Sequence, residues 1–259
     1  MDAFYIAEGD HFISTVNTTG PWHPKLQHAG PPSALMGRAL ELEAGDLQLV
    51  RFSNDLLKPV PVAPLKIELD VVTPGKRRQV IEARLLTVEG EQLVARAQGL
   101  FLRQQDIPIE GVRVHDGEPP ISPQHADAFD FSFFKTEVGY HTAMELRMAS
   151  GGPGTGKTQM WMRQRVALVA GEQPSPLQRL LTVADSGNGV SMAVDKNRYS
   201  FANPDLTVNM RRAPQGEWIC LDAHTHFQNN GLGMAESRLW DERGVVANGT
   251  QNLLLELAP

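Results

Sequence analysis

The chain is short of cysteine, of long apolar runs and of positive charge, and each shortage removes a class of protein. Cys220 is the single cysteine, so no internal disulfide can form and a reducing compartment, the cytoplasm, is expected. The opening residues, MDAFYIAEGDHF, show neither a basic n-region nor an apolar h-region, so no secretory signal is read there. No apolar stretch approaches the roughly 20 residues that span a bilayer, so no membrane partner is expected. Lys and Arg number 24 against 30 Asp and Glu, a net charge of −6. No basic field draws in a phosphate backbone, which argues against a nucleic-acid partner. What remains is 259 residues with 41% hydrophobic and 21% charged side chains, enough for one large domain or two smaller ones with real cores.

Hydrophobic periodicity divides the chain. Gly30-Pro31-Pro32 reads as a helix start, because prolines are tolerated in a first turn whose N–H groups lack partners. Leu35, Ala39 and Leu42 then fall on one side of a largely buried helix. From Leu65 to Val71 the period becomes two, as a strand with one wet face requires. Ile81–Leu85 alternates again, and Leu93–Leu102 forms another strand after a Glu-Gly-Glu turn. One helix followed by an antiparallel meander is an α+β unit.

Residues 106–130 are polar and proline-rich and read as a linker between an N-terminal unit, 1–105, and a C-terminal unit, 131–259. In the latter, 140–148, 160–168, 218–227, 234–240 and 245–257 read as strands, and a short helical stretch follows Asp185. The two units look like one pattern used twice. Phe52-Ser53-Asn54-Asp55-Leu56 is similar to Phe201-Ala202-Asn203-Pro204-Asp205-Leu206. The strand ending in Ala97-Gln98-Gly99-Leu100 is similar to Thr250-Gln251-Asn252-Leu253, with one inserted residue. Chance similarity between β meanders is the alternative.

Two motifs point elsewhere. Gly151 to Thr158 reads GGPGTGKT, which matches the phosphate-binding loop letter for letter. That motif has meaning only between a buried strand and a helix, whereas Met160–Val166 alternates like a strand. A glycine-rich hairpin is therefore expected, with a nucleotide hydrolase as the weaker reading. His224 and His226 would lie on one face of a strand, but no third ligand stands at a recognisable spacing, so no metal is expected.

The segments HAGPPSALMGRAL (28–40), LLKPVPVAPL (56–65), SPLQRLLTVADSGNG (175–189), FANPDLTVNMRRAP (201–214) and VVANGTQNLLL (245–255) together resemble the thioesterase-like superfamily that includes acyl-CoA thioesterase II. The resemblance implies a double hotdog, two tandem antiparallel sheets each wrapped around a central helix. It also implies an acyl-CoA thioesterase that needs no cofactor and associates as a homo-oligomer, a dimer or larger. In that family an aspartate, a threonine and a glutamine hold the catalytic water. The aspartate begins the second central helix, which is Asp185 here. The glutamine lies in the last strand, which is Gln251. The threonine's place falls on Asn203, or on Thr207 if the register shifts.

These residue types suit the chemistry. A carboxylate can take a proton from water, and amides can bind the same water. The N-terminus of a helix can stabilise a developing oxyanion, so His28 and Gly30, at the start of the first helix, are candidate substrate-binding or oxyanion residues. Gly30, lacking a side chain, would let a carbonyl approach its backbone. Each also has a structural alternative. Asp185 is well placed to cap a helix, Asn203 before Pro204 to make a turn, and His28 to cap or pack. Gln251 lies in a mostly apolar strand, where a polar side chain needs a partner. A non-catalytic acyl-CoA-binding protein remains the second reading.

Overall fold

The computed structural model describes residues 2–111, 116–131 and 133–258. In the first half the elements are β1 (Ala3–Glu8), β2 (His11–Ser14), α1 (Gly30–Ala44), β3 (Gln48–Leu56), β4 (Pro64–Thr73), β5 (Arg78–Thr87) and β6 (Leu93–Leu102). The second half adds β7 (Asp127–Phe129), α2 (Tyr140–Ala143), β8 (Met144–Gly151), β9 (Lys157–Gln164), β10 (Ala167–Val169), α3 (Pro176–Ala184) and α4 (Gly187–Val190). It ends with β11 (Tyr199–Ala202), β12 (Asp205–Met210), β13 (Trp218–Phe227), β14 (Leu232–Asp241) and β15 (Gly244–Leu257).

The strands of the first half lie in the order β1-β2-β4-β5-β6-β3, and those of the second in the order β8-β9-β13-β14-β15-β12. The two orders correspond strand for strand. An antiparallel seam between β3 and β12, with Phe52 opposite Val208 and Asp55 opposite Asp205, joins them into one 15-stranded sheet. Strand periodicity explains the sidedness. Leu206 and Val208 face the core while Thr207 between them is half-buried on the opposite face.

Two helices fill the hollow of the sheet. Pro31 and Pro32 open α1, and Ser175 caps α3 by accepting a hydrogen bond from the N–H of Gln178 at 3.2 Å. The helices pack antiparallel. At one end Arg38 makes a forked pair with Glu172 at 2.6 and 2.7 Å, and Ser175 Oγ donates to Glu41 at 2.6 Å. At the other, Gly30 lies against the carbonyl of Thr182, so close that a Cβ would overlap the oxygen. Leu35, Met36 and Leu40 of α1 and Leu180, Leu181 and Val183 of α3 are buried in one continuous core with Phe52, Ile81, Leu85 and Leu221.

Several expectations need correction. Residues 140–148 do not form a strand throughout: Tyr140–Ala143 is one helical turn, and the strand begins at Met144. The segment read as a linker carries β7, which pairs with β8. Its backbone also accepts from Trp161 Nε1 at Ile121 (2.7 Å) and from Arg147 at Pro123 (3.1 Å). It thereby sheathes an outer-face cluster of Trp161, Trp218, Cys220 and Trp240. Residues 112–115 of that segment lie outside the described residues. The phosphate-loop letters, by contrast, form the expected hairpin between antiparallel β8 and β9, with Gly151 opposite Thr158. Positive φ at Gly151, Gly154 and Gly156 makes the turn possible.

The repeat by letters is also out of register. Phe201 and Asn203 belong to β11 and the turn after it, whereas the counterpart of β3 is β12. In β6, Ala97 and Gly99 are buried and Gln98 faces the other way, where it accepts from Arg51 at 3.1 Å. Gln251 in β15 faces the core. A slip of one residue reverses every side chain of a strand, so Gln98 is no counterpart of Gln251.

The helix contact generates a prediction. Gly30→Ala must push α1 away from the Thr182 carbonyl and should cost about 1–3 kcal/mol. Gly37→Ala meets only the movable side chain of Leu181 and gains helix propensity, so its change should stay within about 1 kcal/mol. Urea unfolding of both variants measures the difference.

Candidate active site

Asp185 occupies the break between α3 and α4. It is the C-terminal cap residue of α3, with φ −70° and ψ −12°, and not the N-cap that the sequence suggested. Its carboxyl therefore receives no help from its own helix, whose C-terminal carbonyls carry partial negative charge. The donors come from elsewhere. Asn203 Nδ2 donates to Oδ1 at 2.8 Å, and Gln251 Nε2 donates to Oδ1 at 3.1 Å and to the Asp185 carbonyl at 2.9 Å. The backbone N–H of Ala29, just before α1, donates to the same carboxyl. Burial nevertheless dominates and raises the Asp185 pKa from the ordinary carboxylate range to about 7, against the lowering effect of Asn203, Gln251 and Ala29.

His28 stands over this carboxyl, its Nδ1 at 3.3 Å from Asp185 Oδ2. The same Nδ1 accepts from the N–H of Gly30 at 3.0 Å, and a nitrogen that accepts carries no proton, so the neutral ring holds its proton on Nε2. Burial lowers the His28 pKa to about 3, which keeps the ring neutral at physiological pH. The imidazole lies flat on the ring of Tyr140, centroids 3.8 Å apart at 6°. Tyr140 in turn donates to the Thr182 carbonyl at 2.9 Å and contacts Ser186 Oγ at 2.9 Å. That stack fixes the imidazole plane.

A cavity of about 350 Å³ opens onto Asp185, His28, Asn188 and Asn203. Its walls are mainly apolar and include Trp22, Leu57, Val60, Phe131 and Phe201. Trp22 meets Phe201 edge-on at 4.9 Å.

The structure thus brings together Asp185, Asn203, Gln251 and His28, and it separates two expected residues from them. Thr207 pairs with Ser53 and Thr250 in the sheet and does not line the cavity. Gly30 does not line it either. Its N–H is spent on His28, and its missing side chain admits the Thr182 carbonyl of a neighbouring helix in place of a substrate carbonyl. Gln251 also differs from expectation. Its Nε2 holds Asp185 and its Oε1 accepts from the N–H of Asn188 at 3.2 Å, so neither end is open to bind water.

Sequence reasoning missed Tyr140 and Asn188. Tyr140 was hidden in a segment read as strand. Asn188 is buried, and its Oδ1 accepts from Thr225 Oγ1 at 3.3 Å; its only signal was its place within the Asp185–Gly189 segment. His224 and His226 sit 5.9 Å apart, centroid to centroid. Among the described residues, no group of three or more His, Cys, Asp or Glu is arranged to hold a metal, and no helix is long and apolar enough to cross a membrane.

Solved structures share this arrangement over almost the whole chain. A protein of Thermobifida fusca YX described as a candidate thioesterase II matches with a TM-score of 0.77 at 15% identity, covering 97% of this chain and 95% of its own. A hot dog fold protein of unknown function from Alicyclobacillus acidocaldarius matches at 0.74 and 16%, covering 98% and 96%. Acyl-CoA thioesterase II TesB2 of Mycobacterium marinum matches at 0.65 and 16%, covering 97% and 94%. At such identities the likeness defines the class as hotdog-fold proteins. The family follows from the sequence profiles: residues 18–102 match the acyl-CoA thioesterase N-terminal domain and residues 116–255 the C-terminal domain. The chain belongs to the acyl-CoA thioesterase family, enzymes that hydrolyse the thioester of acyl-CoA. No curated protein matches it significantly in sequence.

The raised pKa makes a stability prediction. A carboxyl whose folded pKa lies above its unfolded value destabilises the fold as pH rises, starting above about 4 and complete above about 7. Asp185→Asn is a permanent mimic of the protonated carboxyl. It should melt higher than the native protein at pH 8, with the gap closing toward pH 4; a calorimetric melt at each pH checks this.

Proposed function

We propose that this acyl-CoA thioesterase is a double hotdog, one wrapped sheet per half, in which Asp185 activates the hydrolytic water for a single active site. The matching strand orders of the two halves support the architecture, with units at about 1–105 and 131–259 and β7 lent to the second by the segment between them. The observation that carries the catalytic reading is a buried carboxyl, pKa about 7, held by two amides on an apolar cavity. A general base works best when its pKa lies near the working pH.

Asp185 Oδ1 already accepts from both amides, which leaves Oδ2, on the His28 side, as the proton acceptor. Asn203 uses its Nδ2 on Asp185 and keeps Oδ1 to orient the water. Gln251 acts through Asp185 as a positioning residue. The water loses a proton to Asp185 as its oxygen attacks the thioester carbon. His28 Nε2–H donates to the carbonyl oxygen as negative charge gathers there, the role that a fixed neutral imidazole suits. The carbon–sulfur bond then breaks, and the Asp185 proton passes to the CoA sulfur, giving acid and free thiol. Only these side chains and water take part. A cytoplasmic location, in keeping with the lone buried thiol of Cys220, and association into a dimer or larger complete the proposal.

Thiol release from an acyl-CoA series, set beside the melting temperature, tests this reading. Asp185→Asn should lower turnover by about 10²–10⁴ while remaining folded. Normal turnover in a folded Asp185→Asn variant would remove Asp185 from the mechanism. Tight acyl-CoA binding by the native protein without thiol release would favour the binding protein.

The positioning role has its own signature. Asn203 and Gln251 both lower the Asp185 pKa by donating to its charged form. Gln251→Ala and Asn203→Ala should each move the rising limb of the kcat/KM–pH profile from near 7 to higher pH. A merely structural glutamine would lower activity without moving that limb.

A further inference from the structure

A second cavity of about 250 Å³ lies beside the first, lined by Phe129, Pro153, Val190, Met192 and Val194, with Asp195 to Asn197 completing the lining. Three residues belong to both cavities: Phe131, Phe133 and Gly189. Gly189 contributes no side chain to the division, so the two phenylalanine rings, centroids 5.1 Å apart at 64°, are the partition. They differ in freedom. Phe131 is 9% exposed and belongs to the core, whereas Phe133 is half-buried and has the ammonium of the exposed Lys196 5.6 Å from its ring centroid. The far wall is held by the glycine-rich hairpin, where Gly154 N–H donates to the Met192 carbonyl at 2.8 Å. The letters that mimic a phosphate loop therefore build an apolar wall.

Resting on the thioesterase reading, we infer that this second cavity receives the distal methylenes of a long acyl chain and that Phe133 is the door controlling entry. A thioester carbonyl at Asp185 places the acyl chain in the first cavity, where Phe131 and Phe133 line the side shared with the second. A short chain ends before the partition. A longer one must displace Phe133, the less buried of the two rings, to gain more apolar lining. Each methylene moved from water into such a lining contributes about a fourfold change in affinity, so two of them already make on the order of tenfold.

The test compares butanoyl-CoA with hexadecanoyl-CoA in the native protein, in Phe133→Ala, and in Phe133→Ala combined with Val194→Trp, which fills the second cavity. The long-to-short ratio of kcat/KM should rise roughly tenfold or more in Phe133→Ala and fall back when Val194→Trp is added. An unchanged ratio in Phe133→Ala, or a gain that survives Val194→Trp, overturns the inference. Where Phe133→Ala fails to fold, Phe133→Leu should move the ratio in the same direction by less, and no movement there counts equally against it. The same ratio is read from the Kd of butyl-CoA and hexadecyl-CoA thioethers, which cannot be hydrolysed. Absence of turnover on every acyl-CoA would thus defeat the catalytic reading alone, while the thioether ratios decide on the cavity.

Discussion

The close approach of α1 to α3 is the constraint on which the site depends. Two helices packed antiparallel inside one sheet bring the start of the first to the end of the second. The contact of Gly30 with the Thr182 carbonyl sets how near they come. At that distance Ala29 can donate to Asp185 and His28 can cover it. Any side chain at Gly30 would part the helices and take both groups out of reach. The site is therefore a property of helix packing between the halves, even though its carboxyl and both amides come from the second half.

The β3–β12 seam adds a second requirement. β12 follows directly on the turn that carries Asn203, so pairing along the seam fixes where that amide stands. Gln251 arrives on the neighbouring strand β15, with an inward direction set by strand parity. Asp185 is thereby held from three directions by elements that are distant in sequence. Rigid placement of this kind lets a carboxyl remain buried without a compensating cation. Its hydrogen bonds offset part of the burial cost, and the remainder is the raised pKa.

Much of the fold was legible because strand alternation is a local signal. The strands β4, β5, β6, β13, β14 and β15 stand where period two placed them, and the prolines at α1 mark a helix start by their own chemistry. Asp185, Asn203 and Gln251 were legible through resemblance, and Gln251 also because a polar residue in an apolar strand calls for a partner. What stayed hidden is non-local. Nothing near Gly30 shows that a helix from the other half will occupy the space above it. The Phe-x-Asn similarity carried no information on register, which a single residue reverses. Asp185, by contrast, looked like an N-cap because the start signal Ser175-Pro176 and the helical spacing of Leu177, Leu180, Leu181 and Ala184 went unread, and these make it the residue that ends a helix. Tyr140 gave no sign that it would lie beneath His28.

The contact between His28 and Asp185 has a consequence for proton counting. In the folded chain the imidazole is neutral down to about pH 3 and the carboxyl keeps its proton up to about pH 7. In the unfolded chain the assignment reverses: between about pH 4 and pH 6.5 the carboxyl is ionised and the imidazole is charged. Both states then hold one proton at this pair, on different residues. Folding in that window relocates a proton from nitrogen to oxygen without exchanging any with the solvent. Since stability responds to pH only through a difference in the number bound, the pair is silent there. A mildly acid medium thus leaves the stability of the fold at this point untouched while it protonates the carboxyl that the proposed mechanism uses as its base.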